Sequence, residues 1–296
     1  MSLAAFLLCA GYGQRLKPLT ERLAKPAIPF QGKSALEINK RRIDILKPEK
    51  WLANTHHLPE QIEAICKRLN IETLQEPEIL GTGGCIANAA SILKHYDHFL
   101  VHNADLIHSI DLQRLFSLHQ SSEALATLAG VRHPDHNSLS VDSTGRLQGI
   151  HGYEGFTSSM ESSRFTFAGI AFYRKDFLDF VTAGVEDIKR HWTHALKSGE
   201  KIQVVDCAAS AWHDFGTPQG LWEAAKFMME TTGEFGYQYP SKPGEKPYVS
   251  NEAGQEGLPE GLKNVLVYEE HPGVIPSGTY NIILGVDFDW KTKASS

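Results

Sequence analysis

The sequence predicts an α/β fold, a mixed but mostly parallel sheet flanked by helices, with a small irregular C-terminal extension. Three observations carry that expectation. A short apolar run, Leu3 to Leu8, has the length of a buried strand and opens into Gly11-Tyr12-Gly13. Apolar runs then alternate with segments of helical period as far as Thr232, and strands alternating with helices make parallel sheets through crossover connections. Two of the strand ends lead into glycine-rich stretches that each feed a helix. Open sheets of this Rossmann-like kind bind ligands in a crevice at the carboxyl ends of their strands.

Composition narrows the partners. At 296 residues, 42% apolar and 22% charged, the chain has room for one large domain with an appendage and a sizeable core. A net charge of −6 without a long basic run argues against nucleic acid. Cys9, Cys66, Cys85 and Cys207 include no Cys-x-x-Cys pair, which reads as reduced thiols in a cytoplasmic protein. The fourteen histidines contain no His-Glu-x-x-His. The N-terminus lacks a basic leader and no stretch is long enough to span a bilayer, so no membrane association is expected.

The first glycine stretch runs from Leu8 through Gly11, Gly13 and Arg15 to Thr20, and is closed by Lys25-Pro26. Glycines let backbone N–H groups approach a ligand, and Arg15 and Lys25 add positive charge beside them, a general phosphate-binding arrangement. Leu16 stands where a dinucleotide fingerprint needs its third glycine, and no Gly-Lys-Ser/Thr ends the loop as in a P-loop. A Gly-x-Gly pair alone reads equally as a turn.

Ser34-Ala35-Leu36-Glu37 is a capping box, and Leu36, Ile43 and Leu46 continue at helical spacing. Trp51-Leu52-Ala53-Asn54 reads as a second strand, residues 62–69 as a helix and residues 71–74 as a third strand. The second glycine loop, residues 75–84, precedes a helix over 86–93. Phe99-Leu100-Val101-His102 is a buried strand ending in Asn103-Ala104-Asp105. Taken locally, Asn103 and Asp105 read first as turn caps; the same position also suits a metal-binding carboxylate.

A helix around Leu112, Leu115 and Phe116 and a strand over 124–131 follow. Residues 138–141 and 146–150 flank Asp142-Ser143-Thr144-Gly145 as a hairpin, so the sheet is mixed. Residues 152–163 form a polar loop, and 164–173 a strand thinned at Ala168-Gly169. A helix over 187–198 stops at Gly199, and residues 201–205 form another strand. Thr217-Pro218 starts a helix just after Asp214, a second carboxylate with little packing reason to be there. Residues 1–232 make the main domain. Residues 233–296 make an extension rich in Pro, Gly, Glu and Lys, with short strands near 265–268 and 280–288.

Taken together these segments resemble the sugar-1-phosphate nucleotidyltransferase family. Its entry signature matches Gly11, Gly13, Arg15, Leu16, Pro18, Leu19, Thr20, Lys25 and Pro26; its Leu-Gly-Thr-Gly-Gly matches residues 80–84. Its Asn-x-Asp matches Asn103-Ala104-Asp105, and its Asp-x-Gly-Thr-Pro matches residues 214–218. The resemblance implies an enzyme that joins a nucleoside triphosphate to a sugar 1-phosphate, releasing pyrophosphate. It assigns Mg2+ to Asp105 and Asp214, the β- and γ-phosphates to Arg15, and charge at the α-phosphate to Lys25. Ala10, Gly11, Gly13, Gln75, Glu76, Gly81, Thr82, Gly83 and Asn103 would bind the nucleotide, and Glu154 and Gly169 the sugar.

Many members carry Glu-Lys-Pro ahead of the strand that holds Gly169; here His151-Gly152-Tyr153-Glu154-Gly155 stands instead, with no lysine after Glu154. The branch resembling N-acetylmuramate-1-phosphate uridylyltransferase also lacks that triad, and its Thr-Phe-x-Gly-Ile parallels residues 166–170. Mannose- and heptose-1-phosphate guanylyltransferases share the second loop. A carboxylate such as Glu76 or Glu78 suits guanine and Gln75 suits uracil, so the loop does not choose between bases. Uridylyl transfer is preferred by analogy; guanylyl transfer, cytidylyl transfer onto phosphocholine, and a silent regulatory homologue are the alternatives. The extension is expected to serve as a lid or as a contact in a homo-oligomer.

Overall fold

The computed structural model describes residues 1–30, 33–134, 136–153 and 163–231, and the backbones of four later strands. From the N-terminus come β1 (Leu3–Leu8), α1 (Leu19–Arg22), the short hairpin β2 (Pro29–Phe30) and β3 (Lys33–Ser34), and α2 (Ala35–Ile43). Next are β4 (Lys50–Thr55), α3 (Pro59–Leu69), β5 (Glu72–Gln75), α4 (Gly81–Leu93), β6 (His98–Asn103) and β7 (Leu106–His108). Then follow α5 (Leu112–Ser121), β8 (Ala126–Val131), β9 (Leu139–Val141), β10 (Leu147–Ile150) and β11 (Ser163–Arg174). α6 (Ile188–Lys197), β12 (Ile202–Asp206), β13 (Trp212–Asp214) and α7 (Pro218–Glu230) close the described body. Beyond it, β14 (Tyr248–Val249), β15 (Lys263–Val267), β16 (Thr279–Gly285) and β17 (Phe288–Thr292) pair in chain order.

The main sheet runs β10-β9-β11-β6-β1-β4-β5, with β8 paired to β11 and β12 to β8. β6, β1, β4 and β5 are mutually parallel, whereas β11 is antiparallel to β6, β8 and β9, giving the mixed sheet expected. Leu8 is in register with both Asn54 and Asn103, so three strands end level and expose one flush carboxyl edge.

Strand periodicity places the core on both faces. Leu3, Ala5 and Leu7 of β1 face α2, α3 and α5, where Leu36, Ile43, Ile62, Leu112 and Leu115 are buried. Ala4 and Phe6 face α4 and α6, against Ile86, Ala89, Leu93, Trp192 and Ala195. A third cluster joins Leu16, Leu19, Ile28 and Phe30 to Phe215, Leu221, Trp222 and Met228 of the last helix region. It packs the segment carrying Arg15 and Lys25 against the segment carrying Asp214.

The caps match their sequence signals. Ser34 and Glu37 form a reciprocal capping box. The Thr217 hydroxyl accepts from Gly220 N with Pro218 at the first helical position. Among the described residues no helix is long and apolar enough to cross a membrane.

One expectation needs correction. The second glycine stretch is not a loop before a helix; α4 begins at Gly81, so Gly83 and Gly84 lie in its first turn. The reason is the crossing of residues 184–186 over that turn. A Cβ on Gly84 would lie 2.0 Å from the Gly184 carbonyl oxygen, and one on Gly83 would lie 2.5 Å from the His191 ring. The Gly84→Ala variant is therefore expected to lose about 1–3 kcal/mol of stability in urea unfolding, the cost of overpacking a rigid contact. A variant as stable as wild type would show that the crossing segment yields.

Candidate active site

The first loop owes its glycines to two different causes. Gly13 adopts φ 64°, and an added Cβ would stand 2.7 Å from Thr20 Cγ2 and 3.0 Å from Lys25 Cγ. Its carbonyl accepts from Leu16 N at 2.8 Å and from the Thr20 hydroxyl at 2.9 Å, turning the chain back so that Lys25 lies beneath it. Gly11 meets no such packing: nothing lies within 4 Å of where its Cβ would be. The space over Gly11 is open to a ligand.

Four charged side chains from four segments meet beside this loop. Lys25 Nζ donates to Asp105 Oδ2 at 2.5 Å, both side chains being mostly withdrawn from solvent, at 11% and 25% exposure. Arg15 lies 3.9 Å from Asp214 Oδ2 with 65% and 40% exposure. Breaking a buried pair costs on the order of 3–5 kcal/mol, whereas an exposed one is worth roughly 0–1. Lys25 and Asp105 are thus anchored to each other, and Arg15 is free to leave Asp214 for a stronger anion.

Backbone pairing brings the acids together. Asp214 of β13 is opposite Leu106 of β7, and Phe215 N donates to the Asp105 carbonyl at 3.4 Å. Gly216 N donates to Asp214 Oδ1 at 2.7 Å. A Cβ on Gly216 would stand 2.5 Å from the Arg15 guanidinium and 3.2 Å from Lys25 Nζ, so a glycine is needed where the two cations approach. Among the described residues no group of three or more His, Cys, Asp or Glu forms a metal cage. A pair of carboxylates is what Mg2+ takes from protein when phosphate oxygens and water complete its shell.

The cleft beneath these groups lies at the carboxyl edge of β1, β4 and β6. Its floor is a chain of hydrogen bonds. Asn54 Oδ1 accepts from Cys9 N at 2.7 Å, and Asn54 Nδ2 donates to Glu76 Oε1 at 2.8 Å. Glu76 Oε2 accepts from Leu80 N at 3.1 Å, and the Glu76 carbonyl accepts from His56 Nδ1 at 2.9 Å. Both oxygens of the buried Glu76 carboxylate are therefore engaged by protein. Tyr12, at the lip, shares a 3.0 Å hydrogen bond with His56 Nε2.

Ala10, Gly11, Lys25, Glu76, Gly81, Thr82, Asn103 and Asp105 all line the cleft. Arg15 and Asp214 stand beside Lys25 and Asp105. Gly13 packs under Lys25, and Gln75 is exposed at the end of β5. Gly83 is turned elsewhere, its N–H donating to the Glu186 carbonyl at 2.9 Å. Gly169, with φ 77°, packs on Asn103, whose side chain would be 2.8 Å from an added Cβ. Glu154 lies outside the described residues. Asn54, Tyr12, His56 and Gly216 complete the surroundings and were not singled out from sequence. Gly216 falls within the Asp-x-Gly-Thr-Pro match at residues 214–218, and for Asn54 the available signal was an Asn at a strand end.

Residues 4–231 match the family model described as nucleotidyl transferase. The chain belongs to the nucleotidyl transferase family. The chain is 30% identical over 222 residues to the mannose-1-phosphate guanylyltransferase of Mycobacterium tuberculosis, covering 73% of the chain and 61% of that protein. It therefore spans about three-fifths of that relative's length. It is also 30% identical over 193 residues to the N-acetylmuramate alpha-1-phosphate uridylyltransferase of Neisseria meningitidis serogroup B, covering 61% of the chain and 79% of that protein. In fold it is similar to the UDP-glucose pyrophosphorylase of Acinetobacter baumannii. The TM-score is 0.66 at 17% identity, over 80% of this chain and 96% of that one.

Burial, then the charge of Asp105, push the Asp214 carboxyl above its ordinary value; Lys25, Gly216 N–H and Arg15 oppose this without cancelling it. The folded chain thus holds that proton more tightly than the unfolded one. Stability from this group is greatest below the ordinary carboxylate value and declines as pH rises through the raised one. Asp214→Asn is expected to melt at higher temperature than wild type at neutral pH without divalent cation, and to show a shallower decline with rising pH. Thermal unfolding across pH checks this, and an equal or lower melting temperature would contradict it.

Proposed function

We propose that the protein transfers a nucleotidyl group from a nucleoside triphosphate to a sugar 1-phosphate, with release of pyrophosphate. The observation that carries this reading is the meeting of Arg15, Lys25, Asp105 and Asp214 beside a cleft walled by bare backbone at Ala10 and Gly11. The reaction brings one phosphate oxyanion onto the phosphorus of another, so the protein's task is to neutralise charge and align the partners.

Each group then has a part. Backbone N–H groups of the first loop face the triphosphate. Lys25, fixed at the cleft wall by Asp105, supplies a pre-oriented positive charge for the α-phosphate as its charge grows. Arg15, loosely held by Asp214, takes the β- and γ-phosphates and the departing pyrophosphate. Asp105 and Asp214 would hold Mg2+, which when bound neutralises the triphosphate and stabilises the leaving group. Gly81, Thr82 and Asn103 line the space for base and ribose, with the Asn54–Glu76 link holding that wall in place.

Uridylyl transfer is the preferred form. It is supported by the match over 79% of the Neisseria uridylyltransferase, against 61% of the mycobacterial guanylyltransferase. Guanylyl transfer is the second reading, favoured by the longer stretch of likeness to the mycobacterial protein.

Pyrophosphate release, assayed with the four ribonucleoside triphosphates against a panel of sugar 1-phosphates, tests both levels. UTP with an N-acetylated sugar 1-phosphate is expected to give the highest kcat/KM; a GTP optimum would select the second reading, and no release with any pair would refute the function. Lys25→Ala is expected to lower kcat about 100-fold or more while changing the triphosphate KM far less, since its charge acts mainly in the transition state. A loss confined to KM would remove Lys25 from the chemical step.

A further inference from the structure

The segment Asn103-Ala104-Asp105-Leu106 is held by buried groups outside the cleft. Asn39, fully buried on α2, donates through Nδ2 to the Ala104 carbonyl at 3.2 Å and to the Leu106 carbonyl at 3.0 Å. These carbonyls stand on either side of Asp105. Two carbonyl partners require the amide nitrogen there, and the Asn39 oxygen lies buried with no hydrogen-bond partner among the described residues. An apolar side chain would avoid that unpaired oxygen, so the two N–H donors are what the position uses.

A second chain holds the other end. Ile110 N donates to His108 Nδ1 at 3.1 Å, which leaves the His108 proton on Nε2. His108 Nε2 donates to His102 Nε2 at 3.0 Å, and His102 Nδ1 donates to the Asn103 carbonyl at 2.7 Å. Both rings are fully buried, which favours the uncharged forms this one-way chain needs. With Phe215 N on the Asp105 carbonyl, each carbonyl from 103 to 106 has a donor.

We propose that Asn39 is a positioning residue that fixes where Asp105 presents its carboxylate, with His102 and His108 anchoring the strand end before it. The proposal rests on the reading of Asp105 as a metal-holding residue. It assigns the positioning to Asn39, His102 and His108, none of which lines the cleft.

The test compares wild type with Asn39→Asp, which keeps the shape but turns acceptors toward both carbonyls, and with His108→Gln, which cuts the second chain and leaves Asn39 untouched. Mn2+ affinity is measured by calorimetry in the presence of a non-hydrolysable triphosphate, alongside kcat, triphosphate KM and melting temperature. In Asn39→Asp, Mn2+ affinity and kcat are each expected to fall about 10-fold or more, as when the support of a metal ligand is lost, with triphosphate KM within about twofold of wild type. A smaller change in the same direction is expected for His108→Gln.

Variants that melt earlier but keep wild-type Mn2+ affinity and kcat would reduce these residues to structural ones and overturn the proposal. Should Asn39→Asp not fold, the same comparison on His108→Gln decides. If wild type releases no pyrophosphate yet binds Mn2+, the functional reading fails and the metal titration still judges the positioning. If wild type binds no Mn2+ with triphosphate present, the proposal falls.

Discussion

Three residues of antiparallel pairing, Leu106–His108 against Trp212–Asp214, are the contact on which the rest depends. Asp105 and Asp214 are more than a hundred positions apart in the chain, and this short ribbon is what sets them side by side. So brief a pairing would not hold by itself. It is secured by the third apolar cluster, where Ile107 of the ribbon packs with Leu16, Ile28, Phe215 and Trp222. One desolvated patch therefore joins the segments bearing both cations and the second acid, and the charged groups lie over its edge.

The glycines divide by physical cause. Gly13 and Gly216 make room for Lys25 and Arg15, and Gly83 and Gly84 make room for residues 184–186 and His191. Gly11 alone among these faces open space at the cleft. The glycines of these three motifs thus mostly answer packing requirements, with ligand approach confined to Gly11 among the five.

The electrostatics follow a similar division. A withdrawn pair, Lys25–Asp105, keeps one cation at the wall, and a solvent-facing pair, Arg15–Asp214, leaves the other able to move. Beneath them the Cys9–Asn54–Glu76–Leu80 chain ties the ends of three strands and the start of α4 into one floor. Polar groups buried there are satisfied by one another, so the floor is rigid before any substrate arrives.

Local sequence determined the strands, the caps at Ser34 and Thr217 and the mixed character of the sheet, because periodicity and capping act within a few residues. Motif order determined the family and singled out the four charged residues. Tertiary structure alone decided that Gly81 already belongs to a helix, that Glu76 is engaged by Asn54 and Leu80, and that Asn39 and two histidines hold the Asp105 turn. Each of those facts concerns which distant backbone a side chain meets once water is excluded. That is a property of packing between segments, and no local run of residues encodes it.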